Sequence, residues 1–92
     1  MQPDENRMLQ RLARLVSFDT QNPPGHEAEA ARFLAHELTE IGFDTSLSEF
    51  KTGRANVVAC LKNGPGPTFA FNSHIDVVPT GGGWSSDPFK LI

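Results

Sequence analysis

His74-Ile75-Asp76 sets an imidazole and a carboxylate two residues apart. In an extended chain side chains alternate, so the two groups project to the same side. That spacing suits a metal-ligand histidine whose other ring nitrogen donates to a carboxylate, an arrangement that fixes the tautomer and raises ligand basicity. The tripeptide alone describes equally a surface histidine beside a solvated aspartate, and bare spacing favours that plainer reading. Two further features invite chemistry and carry less. Gly81-Gly82-Gly83 lacks a following helix start and a Lys or Ser/Thr at phosphate-loop spacing, so a nucleotide-binding module is the poorest reading. Cys60, within a β-rich run, reads as a small buried hydrophobe with no electropositive partner to activate it.

The segments that must position the His/Asp pair follow from periodicity. Met8, Leu9, Leu12, Leu15 and Val16 recur at helical spacing, predicting a helix over about Asp4 to Phe18 with Asp4 accepting the free N–H groups of its first turn. Pro23 and Pro24 cannot continue a helix, so Asp19 to Gly25 is a loop, with Asp19 and Thr20 able to bond its backbone. A second helix is expected from about His26 to Ile41, with Ala28, Ala31, Leu34, Ala35, Leu38 and Ile41 as its buried stripe. Glu27 and Glu29 read as helix-start charges and Gly42 as the C-terminal cap. The pattern then changes to strands at Phe43–Phe50, Ala55–Leu61 and Thr68–Ser73, the last with Phe69, Ala70 and Phe71 consecutive and therefore expected buried. From Pro79 the chain reads as loop, with Trp84 and Phe89 anchoring it on the sheet. The fold class is α/β: two helices, then about three strands, with His74 and Asp76 at the carboxyl end of the third, where sites of open α/β sheets lie.

Composition narrows the partners. Of 92 residues 38% are hydrophobic and 21% charged, an ordinary globular balance. The net charge is −3 and the eight Lys and Arg are scattered, which argues against nucleic-acid binding through a phosphate-neutralising patch. The longest apolar run, Val57 to Leu61, is far too short to span a membrane, and the N-terminus lacks the basic-then-apolar pattern of a secretory signal. One cysteine excludes an internal disulfide and suits a reducing compartment, so the cytoplasm is the expected address.

Asn72-Ser73-His74-Ile75-Asp76-Val77-Val78-Pro79, followed by Trp84-Ser85-Ser86-Asp87-Pro88-Phe89, resembles the co-catalytic zinc aminoacylase and carboxypeptidase family, which includes acetylornithine deacetylase, succinyl-diaminopimelate desuccinylase, aminoacylases and glutamate carboxypeptidases. Thr20-Gln21-Asn22-Pro23-Pro24-Gly25-His26-Glu27 looks like that family's loop between its first two helices, and Asn56-Val57-Val58-Ala59 like a strand leading into its sheet. The resemblance implies a fold in which residues 1–92 are the N-terminal portion of an α/β catalytic domain, without the later-inserted domain that often mediates homodimerisation. It implies cleavage of the amide bond of N-acyl amino acids or small peptides by two zinc ions sharing a water; cobalt or manganese suit similar sites. By the same resemblance His74 is a ligand of one zinc and Asp76 the carboxylate that orients its ring. The bridging aspartate, the glutamate pair with the general base, a further acidic ligand and a final histidine lie downstream in the family. The 92-residue chain is therefore expected to be inactive alone, with open strand edges that favour association. The rival expectation is a non-catalytic truncated remnant or interaction module.

Overall fold

The computed structural model describes residues 2–92. Helix α1 spans Glu5–Ser17 and helix α2 spans Ala28–Glu40; strands β1, Asp44–Lys51, and β2, Arg54–Cys60, form an antiparallel hairpin. The α/β class stands, with one fewer strand than expected. Both helices begin and end within a few residues of the positions their sequence signals give. The Asp4 carboxylate accepts the Arg7 N–H at 3.1 Å as the N-cap of α1, and Glu5 and Arg14 complement the dipole at its two ends. At the other end of α2, Gly42 takes φ of 106°, its N–H bonds Thr39 O, and the Phe43 N–H reaches back to Leu38 O at 3.0 Å. Those paired bonds satisfy the last carbonyls of the helix.

α2 lies on the hairpin through its smallest side chains. Ala28 and Ala31 pack on Ala55 of β2, and the partly buried Ile75 packs against the cluster. The turn at Thr52-Gly53 also meets the start of α2, where the Gly53 carbonyl accepts the Ala28 N–H at 3.0 Å. Along β2 the period of two is clear: Ala55, Val57 and Ala59 face α2, whereas Asn56, Val58 and Cys60 face out. Cys60 is consequently exposed, contrary to the buried position expected of it.

Among the described residues no large side chain is fully buried; the core is Ala28, Ala30, Ala31 and Ala55, with Thr20 and Glu27 as its polar members. Helix α1 explains part of this. It docks through its C-terminal half, with Phe18 against Phe33 at 5.8 Å between ring centroids, the Arg14 guanidinium over both rings, and Arg11 paired with Glu37 at 3.6 Å. Leu15 and Val16 are half-covered there, but Met8, Leu9 and Leu12, on the same apolar face, meet no other element and stay exposed.

Thr68–Ser73 is the main departure from the expected strands. It pairs with neither hairpin strand, and Phe69 and Phe71 project into solvent with their rings 5.0 Å apart. An apolar run becomes a strand only where a neighbour takes its N–H and C=O groups. Here the one rung beyond the hairpin among the described residues lies further on, a parallel bridge between Gln21 and Val77.

Candidate functional site

The His/Asp pair is held by the α1–α2 loop, not by a strand. The Asn22 N–H donates to Val77 O at 2.8 Å and the Val77 N–H to Thr20 O at 3.1 Å, forming the single parallel rung. The Thr20 hydroxyl adds a bond to Ile75 O at 3.1 Å, and the Gln21 side-chain oxygen accepts the Thr80 N–H at 2.9 Å. Asp19 shapes the loop from within: its Oδ1 accepts the Gln21 side-chain and backbone N–H groups, which hold its carboxyl below the usual carboxylate range. Asp19 thus bonds loop backbone as expected, whereas Thr20 bonds across the chain to Ile75 and Val77 instead. Residues 20–22 and 75–80 are read in the sequence as separate segments, and the fold clamps them side by side.

His74 and Asp76 do come together. The His74 Nδ1 lies 2.8 Å from Asp76 O and 3.2 Å from Asp76 Oδ1. The Asp76 carboxyl sits below its usual range, first because the Asn22 amide donates to it, with His74 and Arg54 adding to the effect and partial desolvation opposing it. Both oxygens beside Nδ1 are acceptors, so Nδ1 is the donor, and in the neutral ring the lone pair lies on Nε2. The ring is 82% exposed, whereas Asp76 is 31% exposed. An imidazole with one nitrogen steadied by a main-chain carbonyl, a carboxylate oxygen beside it, and the other nitrogen free to solvent is competent to ligate a divalent cation.

The rest of the donor set is narrow. Among the described residues no group of three or more His, Cys, Asp and Glu side chains is gathered as a metal ion would need. His36 lies on α2 beside Glu40, at 3.9 Å, and His26 packs against Gly53. The residues fit one ligand position of a metal centre and no more. Trp84, expected to anchor its loop on the sheet, instead donates from its indole nitrogen to Thr80 O at 2.9 Å, so it braces the loop that the Gln21 side chain holds.

Three residues behind Asp76 escaped the sequence reading. Asn22 Nδ2 donates to Asp76 Oδ2 at 2.9 Å, and Arg54 Nη2 stands 3.8 Å from the same oxygen. Arg54 Nε in turn donates to Glu27 Oε1 at 2.9 Å. Glu27, read as a solvated helix-start charge, makes no capping bond and is instead buried beneath the guanidinium, its Oε2 without a partner. Burial of Glu27 needs the hairpin turn to fold over the helix start, and no local pattern announces that. Asn22 did lie inside the loop motif that carries the family resemblance, so its position was marked although its contact was not.

Comparison with known proteins accords with this geometry. The chain is 37% identical over 84 residues to a succinyl-diaminopimelate desuccinylase of Rhizorhabdus wittichii, covering 88% of this chain and 22% of that protein. It is 48% identical over 82 residues to one from Nautilia profundicola, covering 89% and 21%, and 33% identical over 84 residues to an N-acetyl-L-citrulline deacetylase of Xanthomonas campestris, covering 90% and 22%. No family model and no solved structure matches. The chain belongs to the zinc aminoacylase family. It spans about a fifth of the length of the curated relatives it matches. No helix among the described residues is long and apolar enough to cross a membrane.

Proposed function

We propose that this chain is part of a metal-dependent hydrolase that cleaves the amide bond of N-acyl amino acids or small peptides, with His74 as a ligand to one divalent cation and Asp76 as the group that orients it. The observation that carries the reading is the polarity of the His74 ring: Nδ1 is engaged by Asp76 and Nε2 faces solvent. The relatives' names, a desuccinylase and a deacetylase, both denote removal of an acyl group, which is the support for the substrate class. When bound, the cation supplies Lewis acidity at the amide carbonyl. Zinc is the first choice for an imidazole ligand, with cobalt and manganese as substitutes. Asp76 keeps the proton on Nδ1 and the ring in one orientation; Asn22 and Arg54 keep Asp76 in place. A catalytic zinc takes three protein ligands and an open position, so we read the 92 residues alone as inactive and the working site as shared with further chain. The compartment that fits a single free cysteine is the cytoplasm.

A chimaera tests this directly. Residues 1–92 replace the aligned segment of a succinyl-diaminopimelate desuccinylase, and hydrolysis of the succinylated substrate is followed. The expected result is activity that His74→Ala abolishes and Asp76→Ala lowers by about 10–100-fold, the scale for groups that orient a metal ligand. Wild-type turnover in an active chimaera carrying His74→Ala would remove the ligand assignment.

A further inference from the structure

The geometry points to Asn22 as a positioning residue that holds Asp76 Oδ1 toward His74, and thereby adds a second acceptor at Nδ1 to the Asp76 main-chain carbonyl, biasing the ring toward the tautomer with Nε2 free. This rests on His74 being the cation ligand, and it names what prepares that ligand before any cation arrives. Asp76 has two chemically equivalent oxygens. One of them, Oδ2, accepts the Asn22 Nδ2–H at 2.9 Å and lies 3.8 Å from Arg54 Nη2. The other, Oδ1, is thereby left to His74 Nδ1 at 3.2 Å. An unrestrained carboxylate on an extended segment would rotate freely, and the ring would lose one of its two acceptors.

Asn22 can do this because its own place is fixed without Asp76. Its backbone N–H donates to Val77 O, and the preceding Thr20 bonds both Val77 N–H and Ile75 O. The main chain of the loop is therefore registered on the residues immediately flanking Asp76, and the Asn22 amide is delivered to Oδ2 whatever His74 does. Arg54 adds charge on the same side and is itself pinned by Glu27 at 2.9 Å. Behind an 82% exposed imidazole stands a fixed polar wall, and Asn22 is the part of it that touches Asp76 at hydrogen-bond distance.

The test reads the tautomer of His74 in the metal-free full chain, by long-range proton–nitrogen NMR correlation with the imidazole neutral. In the wild type the Nδ1–H form predominates. In Asn22→Ala the ratio of Nδ1–H to Nε2–H falls by about two- to tenfold, the effect of one lost hydrogen bond. Asn22→Asp, which keeps the shape but replaces the donor with a like charge, lowers it at least as far. Amide shifts of α2 and of the hairpin report whether each variant keeps its fold, and the isosteric Asn22→Asp carries the test if Asn22→Ala does not. A tautomer ratio unchanged in a folded variant overturns the inference. A separate zinc titration of the wild-type chain, set beside His74→Ala, distinguishes the two levels: zinc binding that ignores His74 sinks the ligand reading, whereas an altered tautomer in the Asn22 variants sustains the positioning role on its own terms.

Discussion

Replacing Arg54 by methionine should destabilise this chain more than its position on a surface hairpin suggests. The Arg54 side chain is 25% exposed, but its partner Glu27 is only 7% exposed, and they meet at 2.9 Å. At an effective dielectric of about 20, unit charges roughly 4 Å apart attract by about 4 kcal/mol before desolvation is subtracted. Removing one member of a buried pair leaves the other charge uncompensated and costs about 3–5 kcal/mol. Because the guanidinium still meets water, we scale the loss to about 2–3 kcal/mol. Glu27→Gln keeps an oxygen for Arg54 and should cost about 1 kcal/mol. The double variant, Arg54→Met with Glu27→Gln, no longer buries an unpaired charge and should lose only about 1–1.5 kcal/mol, giving a coupling of about 2 kcal/mol. Urea unfolding followed by far-ultraviolet circular dichroism measures all three, with exposed Lys51→Met, expected within about 0.5 kcal/mol of wild type, as the control. The effect should be plain because the apolar core is built from alanines alone. If Arg54→Met matched the Lys51 control, or if the double variant lost the sum of the single losses, the buried-pair reasoning would be wrong.

Gly25→Ala should cost about 1–3 kcal/mol in the same assay, since φ is +81° and an added Cβ would stand 2.7 Å from Arg54 Nε. Gly64→Ala, also at positive φ but with nothing within 4 Å, should show the backbone cost without the clash, so equal losses at both sites would refute the contact. The Asp76 carboxyl is held below its usual range chiefly by Asn22, so its folded value lies under its unfolded one. Its contribution is therefore present above about pH 3.9 and is lost as pH falls through the folded value. An acid titration watching the Asn22 side-chain amide signals should show the change below pH 3.9, and a transition near neutrality would contradict the assignment. Phe71→Ser should weaken self-association in sedimentation velocity, because Phe69 and Phe71 form an exposed pair that no other element covers; identical profiles for variant and wild type would exclude that patch as the contact.

What the sequence determined by itself was whatever depends on neighbours a few residues away. Asp4 caps α1 because its carboxylate needs only the N–H three residues on, and Gly42 ends α2 because the left-handed turn is a local demand. Ala28 and Ala31 fall on the stripe that the period of α2 marks as buried, and His74 with Asp76 were found because two residues of chain suffice to bring them together. The outward face of Cys60 and the exposed Phe69 and Phe71 were not forecast, because an apolar residue's side is settled by which faces other elements cover. Tertiary structure alone decided the wall behind the site. Asn22 meets Asp76 across 54 residues of chain, and Arg54 meets Glu27 across 27. Hydrogen bonds at such separations have no period and no local signature; they exist only once the loop has docked beside residues 75–77 and the hairpin turn has closed over the start of α2.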